Sequence, residues 1–131
     1  GLRVRLVGDG GAYPGLGAFL PAGTRRMSNG TYAFTGIQFD VVVAAGNVMI
    51  FLAPGTETAT VANLAAHLVP GGALICGFQL QAGRYPLDCF DADCEAAGLV
   101  PVERWSTWDR QVFDPDGGYV VAVHRRPRHT P

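Results

Sequence analysis

The sequence predicts an α/β protein with a mainly parallel sheet and a C-terminal antiparallel hairpin. Three features of residues 39–124 predict this class: two uninterrupted apolar runs, two amphipathic segments that follow them, and a glycine-containing turn before the last apolar run. Strands of a parallel sheet are covered on both faces, so they occur as continuous apolar runs instead of alternating patterns. Apolar runs that alternate with helical segments indicate strands joined by helices.

The first half of this region predicts a strand followed by a helix. Residues 39–45 (FDVVVAA) form an apolar run rich in β-branched side chains, and a shorter apolar stretch follows at residues 48–52. Thr56 is expected to cap a helix, with Glu57 well placed beside the positive end of the helix dipole. Apolar side chains recur in this helix with helical spacing, at Val61, Leu64, Ala65 and Leu68.

The next elements are a second strand and a second helix. The Pro-Gly-Gly sequence at residues 70–72 is expected to end the first helix. Residues 73–78 (ALICGF) form the second buried run, in which Cys76 is expected to behave as a small apolar side chain. Pro86 suits the first position of a helix, and Gly98 suits its C-terminal end. One face of this second helix carries Leu87, Phe90 and Cys94.

The last elements form the predicted hairpin. Residues 101–108 and 119–124 are expected to be strands, joined by a turn that contains a glycine pair. Trp105 and Trp108 are three residues apart, so on a strand they would face opposite sides. His124 ends the last strand, which we expect at the edge of the sheet, and its side chain is therefore expected to be exposed.

Residues 1–38 are less regular than the rest of the chain. Residues 2–7 could form a strand and residues 31–38 another, but no helix of ordinary length fits. A glycine cluster that includes Gly8 and Gly10 follows the first of these segments. The length of 131 residues suits a single domain, 1–131, with an atypical N-terminal segment.

Composition argues against several classes of function. A formal net charge of −1 gives no electrostatic case for binding nucleic acid or an anionic membrane. No stretch approaches the roughly 20 apolar residues that cross a bilayer, and because no charged n-region precedes an apolar h-region at the start, we expect no secretory signal. An odd number of cysteines without CxxC spacing, and three scattered histidines, argue against a disulfide framework and a metal site. We therefore expect a cytoplasmic protein with reduced thiols.

Four segments of the chain carry a family resemblance. They are FDVVVAAGNVMIFL, PGTETATVANLAAHLVPGGALICGFQL, LDCFDADCEAAGLVPVERWSTWDR and GGYVVAVHRRP. Together they resemble the C-terminal half of bacterial class I S-adenosylmethionine-dependent methyltransferases, of the kind often found in actinobacteria, over about residues 39–127. Their most specific parts are the opening of the first strand, the LVPGG turn and the AGLVPVER run, and none of these is catalytic.

The resemblance implies a three-layer, Rossmann-like methyltransferase fold and methyl transfer from S-adenosylmethionine to a small-molecule acceptor. In this fold, ligands bind at the carboxyl ends of the parallel strands. The resemblance places Ala45, Gly46 and Asn47 beside the cofactor or the acceptor, and Phe78 and Gln79 at the acceptor pocket. It also allows the cluster with Gly8 and Gly10 to be a degenerate form of the family's cofactor-binding glycine loop.

The N-terminal segment departs from the family pattern. Only 38 residues precede Phe39, whereas one strand–helix–strand unit takes about 30 residues or more, so at least one such unit of the family does not fit. Residues 12–38 contain no acidic residue to bind the ribose hydroxyls. We therefore expect residues 1–38 to be a truncated, rearranged or frame-shifted remnant.

Two functions from different classes remain open at the level of sequence. The first is a methyltransferase that acts on a small molecule, and the second is a non-catalytic folded remnant or dimerising interaction module. Residues 39–45 would form an unpaired sheet edge unless residues 1–7 or 31–38 cover it. Because exposed edges recruit partners, the second interpretation predicts a homodimer.

Overall fold

The computed structural model describes residues 4–7, 24–26, 32–34, 38–45, 47–52, 54–81 and 83–128. Its strands are β1 (Val4–Val7), β2 (Thr24–Arg26), β3 (Tyr32–Phe34), β4 (Phe39–Ala44), β5 (Leu68–Gln79), β6 (Val100–Trp105) and β7 (Tyr119–Arg125). Its α-helices are α1 (Glu57–Ala66) and α2 (Leu87–Ala96), and a short 3-10 helix spans Val48–Phe51. None of the helices in the described ranges is long and apolar enough to cross a membrane.

Five strands form one mixed sheet in the order β1-β4-β5-β7-β6, and β2 pairs with β3 in a separate two-stranded sheet. The strands β1, β4 and β5 are parallel, whereas β7 is antiparallel to both β5 and β6. This confirms the predicted mainly parallel α/β fold with a C-terminal hairpin. All four residues of β1 pair with β4. Residues 4–7 therefore cover the edge of residues 39–45 that would otherwise be unpaired.

The described helices lie on one side of the sheet, which we call the helix face. Helix α1 joins β4 to β5, and α2 joins β5 to β6, which runs parallel to β5. Both connections step in the same direction along the sheet, so right-handed crossovers place the two helices on the same side. The helices α1 and α2 contact each other, and β3 contacts α1. The helix face of β5 presents Leu74, Cys76 and Phe78, all with no exposed surface.

The core joins this face to both helices. Helix α1 contributes Val61 and Leu64, which are almost fully buried. Helix α2 contributes Phe90, whose ring lies 5.2 Å from that of Phe78 and 5.9 Å from that of Tyr85, each in an edge-to-face arrangement. The predicted apolar faces are confirmed for Val61, Leu64 and Ala65 of α1 and for Phe90 and Cys94 of α2. Leu87 is only half-buried, and Leu68 belongs to β5 instead of the helix.

The first helix ends earlier than its sequence predicts. It ends at Ala66, and the Pro-Gly-Gly sequence at residues 70–72 lies inside β5. Gly71 adopts a φ of 84°, and the register of β4 against β5 shifts across this segment, as expected of an irregular strand entry. Thr56 occupies the N-cap position but makes no side-chain capping hydrogen bond, because its backbone is nearly helical (φ −103°, ψ −1°) instead of extended.

The second helix follows its sequence closely. Pro86 precedes it as the N-cap, one position earlier than predicted, and extended backbone at this residue (ψ 144°) explains the difference. Gly98 lies just beyond the helix with a φ of 85°, a conformation that glycine adopts without strain. The predicted C-terminal stop is therefore confirmed.

Two predictions about the hairpin are wrong. The strand β6 ends at Trp105, so Trp108 lies in the following loop and not on the opposite side of the same strand. His124 is 2% exposed, because β7 lies between β5 and β6 instead of at the edge. The last strand in sequence is thus an interior strand of the sheet, and β6 is the edge beside it.

Candidate functional site

The carboxyl ends of the three parallel strands lie at the same edge of the sheet, where β5 continues beyond the end of β4 to Gln79. Val7 is the register partner of Ala44, and Ala44 is the register partner of Cys76. Ligands of open α/β sheets bind in the crevice outside the carboxyl ends of such strands. This carboxyl edge, formed by the ends of β1, β4 and β5, is therefore the candidate site.

Asn47 links two of the strand ends. Its side-chain Oδ1 accepts a hydrogen bond of 2.9 Å from the backbone N–H of Gln79, the last residue of β5. Its backbone has a φ of 65° and a ψ of 22°, in the left-handed region that asparagine tolerates better than most residues. The side-chain acceptor of Asn47 is thus used inside the protein, where it holds the segment after β4 against the end of β5.

The other predicted residues divide into three groups. Ala45 is half-buried directly after β4, and Gln79 is exposed at the end of β5, so both lie at the carboxyl edge with Asn47. Phe78 has no exposed surface and packs in the aromatic core under α2. The remaining predicted residues, Gly8, Gly10 and Gly46, lie outside the described part of the chain.

A polar network that the sequence did not predict joins the two helices. The hydroxyl of Tyr85 donates a hydrogen bond to Asp93, and the hydroxyl of Thr58 donates one of 2.8 Å to the other oxygen of the same carboxylate. Burial and the adjacent carboxylate raise the pKa of Tyr85. The phenol therefore stays protonated and serves as a donor. Thr58 and Asp93 are 35 residues apart, and no local pattern indicates their contact.

The buried thiols and imidazole near this core are held neutral. Burial raises the pKa of Cys76 well above its ordinary value and raises that of Cys94 to about 12. Both groups are therefore thiols and weak nucleophiles at neutral pH. Burial also lowers the pKa of His124. Among the described residues, no group of three or more histidine, cysteine or acidic side chains could hold a metal ion.

Solved structures share this architecture. A TehB-like SAM-dependent methyltransferase from Corynebacterium glutamicum is 33% identical to this chain, with a TM-score of 0.63 over 69% of this chain and 48% of that protein. The CcbJ methyltransferase from Streptomyces caelestis is 17% identical, with a TM-score of 0.62 over 72% and 60% of the two chains. The N-methyltransferase NodS from Bradyrhizobium japonicum, solved with S-adenosyl-L-homocysteine, is 24% identical, with a TM-score of 0.55 over 72% and 50%.

No protein-family model matches the chain, and no curated protein matches it significantly. The chain spans about half to three fifths of the length of the solved structures it resembles. Over part of its length, this chain therefore has the fold of the class I S-adenosylmethionine-dependent methyltransferases.

Proposed function

We propose that this chain supplies one wall of an S-adenosylmethionine-dependent methyl-transfer site that acts on a small molecule. The observation that carries the proposal is the hydrogen bond between Asn47 and the backbone of Gln79. It fixes two strand ends against each other at the edge where ligands of this sheet type bind. The similarity to methyltransferases, one of them solved with S-adenosyl-L-homocysteine, supports the choice of cofactor.

The chemistry of the described residues fits one side of such a ligand. Ala45 is small, so it lets a ligand approach the strand end closely, and the amides of Asn47 and Gln79 are neutral. The acid of β4, Asp40, lies at the opposite end of that strand. When bound, S-adenosylmethionine supplies a methyl group on a sulfonium sulfur, which passes to the acceptor as the carbon–sulfur bond breaks and sulfur retains the electron pair.

In this proposal, the chain contributes to methyl transfer by orienting the cofactor and the acceptor relative to each other. Transfer of this kind requires the acceptor atom, the methyl carbon and the sulfur to be nearly collinear, and holding them so can supply much of the rate. A link between the ends of β4 and β5 limits the relative motion of the two segments that would carry cofactor and acceptor. Asn47 is therefore a positioning residue in this proposal, while Ala45 and Gln79 face the ligands.

A calorimetric titration of the chain with S-adenosylmethionine and S-adenosyl-L-homocysteine tests the proposal. We expect saturable one-to-one binding in the micromolar range, weakened about tenfold in Asn47→Ala, which corresponds to roughly 1.4 kcal/mol. Gln111→Ala, at an exposed position in the β6–β7 loop, is the control and should bind as the parent does. Absence of binding at millimolar ligand would overturn the proposal.

The alternative proposal is a non-catalytic module that self-associates. Because β1 covers the β4 edge, β4 is no longer a candidate dimer surface. The candidate is instead β6, the edge strand at the other end of the described five-stranded sheet. Two apolar side chains of β6, Val100 and Val102, are 48% and 47% exposed. Light scattering over a range of concentrations would show dimers that Val102→Lys disrupts. A monomer at every concentration would exclude this alternative.

A further inference from the structure

A cavity next to the carboxyl-edge site opens between the start of α2 and the β6–β7 loop. It encloses about 530 Å³, a volume typical of small-molecule pockets. Its apolar and aromatic walls are formed by Leu80, Tyr85, Pro86, Leu87, Phe113 and Pro115. These side chains can bury an apolar group about as large as a substituted aromatic ring.

The lining of this α2–β6 cavity carries more acidic than basic side chains. Asp88 and Asp91 are three residues apart on α2, so they lie on the same side of the helix, and both line the cavity. The only basic residue among the lining residues is Arg104 of β6. Two carboxylates and one guanidinium give the lining a formal charge of −1.

The guanidinium is already engaged by the protein. A nitrogen of Arg104 lies 2.6 Å from Oδ1 of Asp91, and its central carbon lies 5.6 Å from the centre of the Phe113 ring. Asp88 is exposed, and its Oδ1 accepts a hydrogen bond of 3.0 Å from the backbone N–H of Cys89, but it forms no ion pair with any residue in the described ranges. The neighbouring His124 has its pKa lowered by burial, so it adds no positive charge at neutral pH. The uncompensated charge of the cavity is therefore negative.

We propose that the α2–β6 cavity binds an organic cation with an apolar body, an aryl-alkyl amine in the simplest case. The aromatic ring would pack against Leu87 and Phe113, and the ammonium group would lie beside Asp88. The cavity adjoins the carboxyl-edge site, because Gln81 in its lining donates a hydrogen bond of 2.6 Å to the side chain of Gln79. The proposal does not require methyl transfer, since it concerns only the binding of the cation.

Three probes with the same phenyl group and different charges test the proposal. They are 2-phenylethylamine, 2-phenylethanol and 3-phenylpropionate, each titrated into the full chain labelled with nitrogen-15 and followed by NMR. We expect the amine to bind in the roughly millimolar range typical of ligands of this size, and the carboxylate to bind about tenfold more weakly. The largest shifts should fall on the backbone amides of Gln81, Leu87 and Arg104, which border the cavity.

Two variants test the role of the charge. Asp88→Asn should weaken binding of the amine about threefold to fivefold and leave binding of the alcohol unchanged. Glu95→Gln removes an exposed acid of the same helix that does not line the cavity. It should change neither the binding of the amine nor the binding of the alcohol.

Three results would overturn the proposal: equal binding of the three probes, preference for the carboxylate, or shifts centred on Ala45 and Asn47, which do not line the cavity. The probes are compared on the unmodified chain, so the test holds even if the variant at position 88 folds poorly. It is also independent of the titration with S-adenosylmethionine, and either proposal can fail alone.

Discussion

Substitutions at Asn47 separate two energetic contributions made by one residue. The side chain accepts a hydrogen bond of 2.9 Å from the Gln79 N–H, and the backbone has a φ of 65°. A hydrogen bond of this kind contributes about 1 kcal/mol to stability, and less if water can replace it, as at this exposed site. Placing alanine in the left-handed region costs about 1 kcal/mol more.

The two contributions predict a graded series. Asn47→Ala loses the hydrogen bond and strains the backbone, so it should reduce the free energy of unfolding by about 2 kcal/mol. Asn47→Gly loses only the hydrogen bond and tolerates the conformation, so its loss should be about 1 kcal/mol or less. Asn47→Asp keeps an acceptor at the same position and should stay within about 0.5 kcal/mol of the parent.

Thermal unfolding followed by circular dichroism measures the series. For a chain of this size, 1 kcal/mol corresponds to a change in Tm of about 4 °C, so the alanine variant should melt about 8 °C below the parent. If alanine is no worse than glycine, the backbone argument is incorrect. If aspartate is as damaging as alanine, the side-chain hydrogen bond does not stabilise the protein.

Three further predictions concern the core and the sheet. Phe90 has no exposed surface, so Phe90→Ala should lower the free energy of unfolding by about 3–5 kcal/mol, measured by urea denaturation; a loss below about 1 kcal/mol would contradict its core position. Burial lowers the pKa of His124 despite the opposing effect of Asp91, so the unfolded chain binds its proton more readily. Stability should therefore fall as the pH drops below about 6.5, and His124→Gln should flatten this dependence of Tm on pH. A Cβ added at Gly77 would overlap the Trp108 ring, so Gly77→Ala should displace that half-exposed ring and change tryptophan fluorescence; an unchanged emission spectrum would count against the contact.

The elements that the sequence predicted well are those with local causes. Helix α2 lies between Pro86 and Gly98, and both residues act through their own backbone conformation. The strand β4 was predicted from a continuous apolar run, because a strand covered on both faces needs apolar side chains at every position. The glycine-containing turn predicted the hairpin, and the antiparallel pairing of β6 with β7 confirms it.

The errors arose where a side chain's environment depends on distant segments. The Pro-Gly-Gly sequence at residues 70–72 is locally typical of a helix C-terminus. In the structure these residues belong to β5, because β5 pairs with β4 on one side and with β7 on the other. The family resemblance places Asn47 beside the cofactor or the acceptor, whereas the partner that the structure gives its side chain is 32 residues away. No local pattern can identify such a partner, so the hydrogen bond between Asn47 and Gln79 emerged only from the folded structure.

The sequence by itself therefore determined the α/β class, the hairpin and the extent of α2, since periodicity and turn chemistry are properties of neighbouring residues. Only the tertiary structure decided that β7 lies between β5 and β6, which buries His124, and that residues 4–7 pair with β4. The physical reason is that strand order depends on hydrogen bonds between segments far apart in the chain. The same distant pairing joins α2 to β6, and it created the cavity between them.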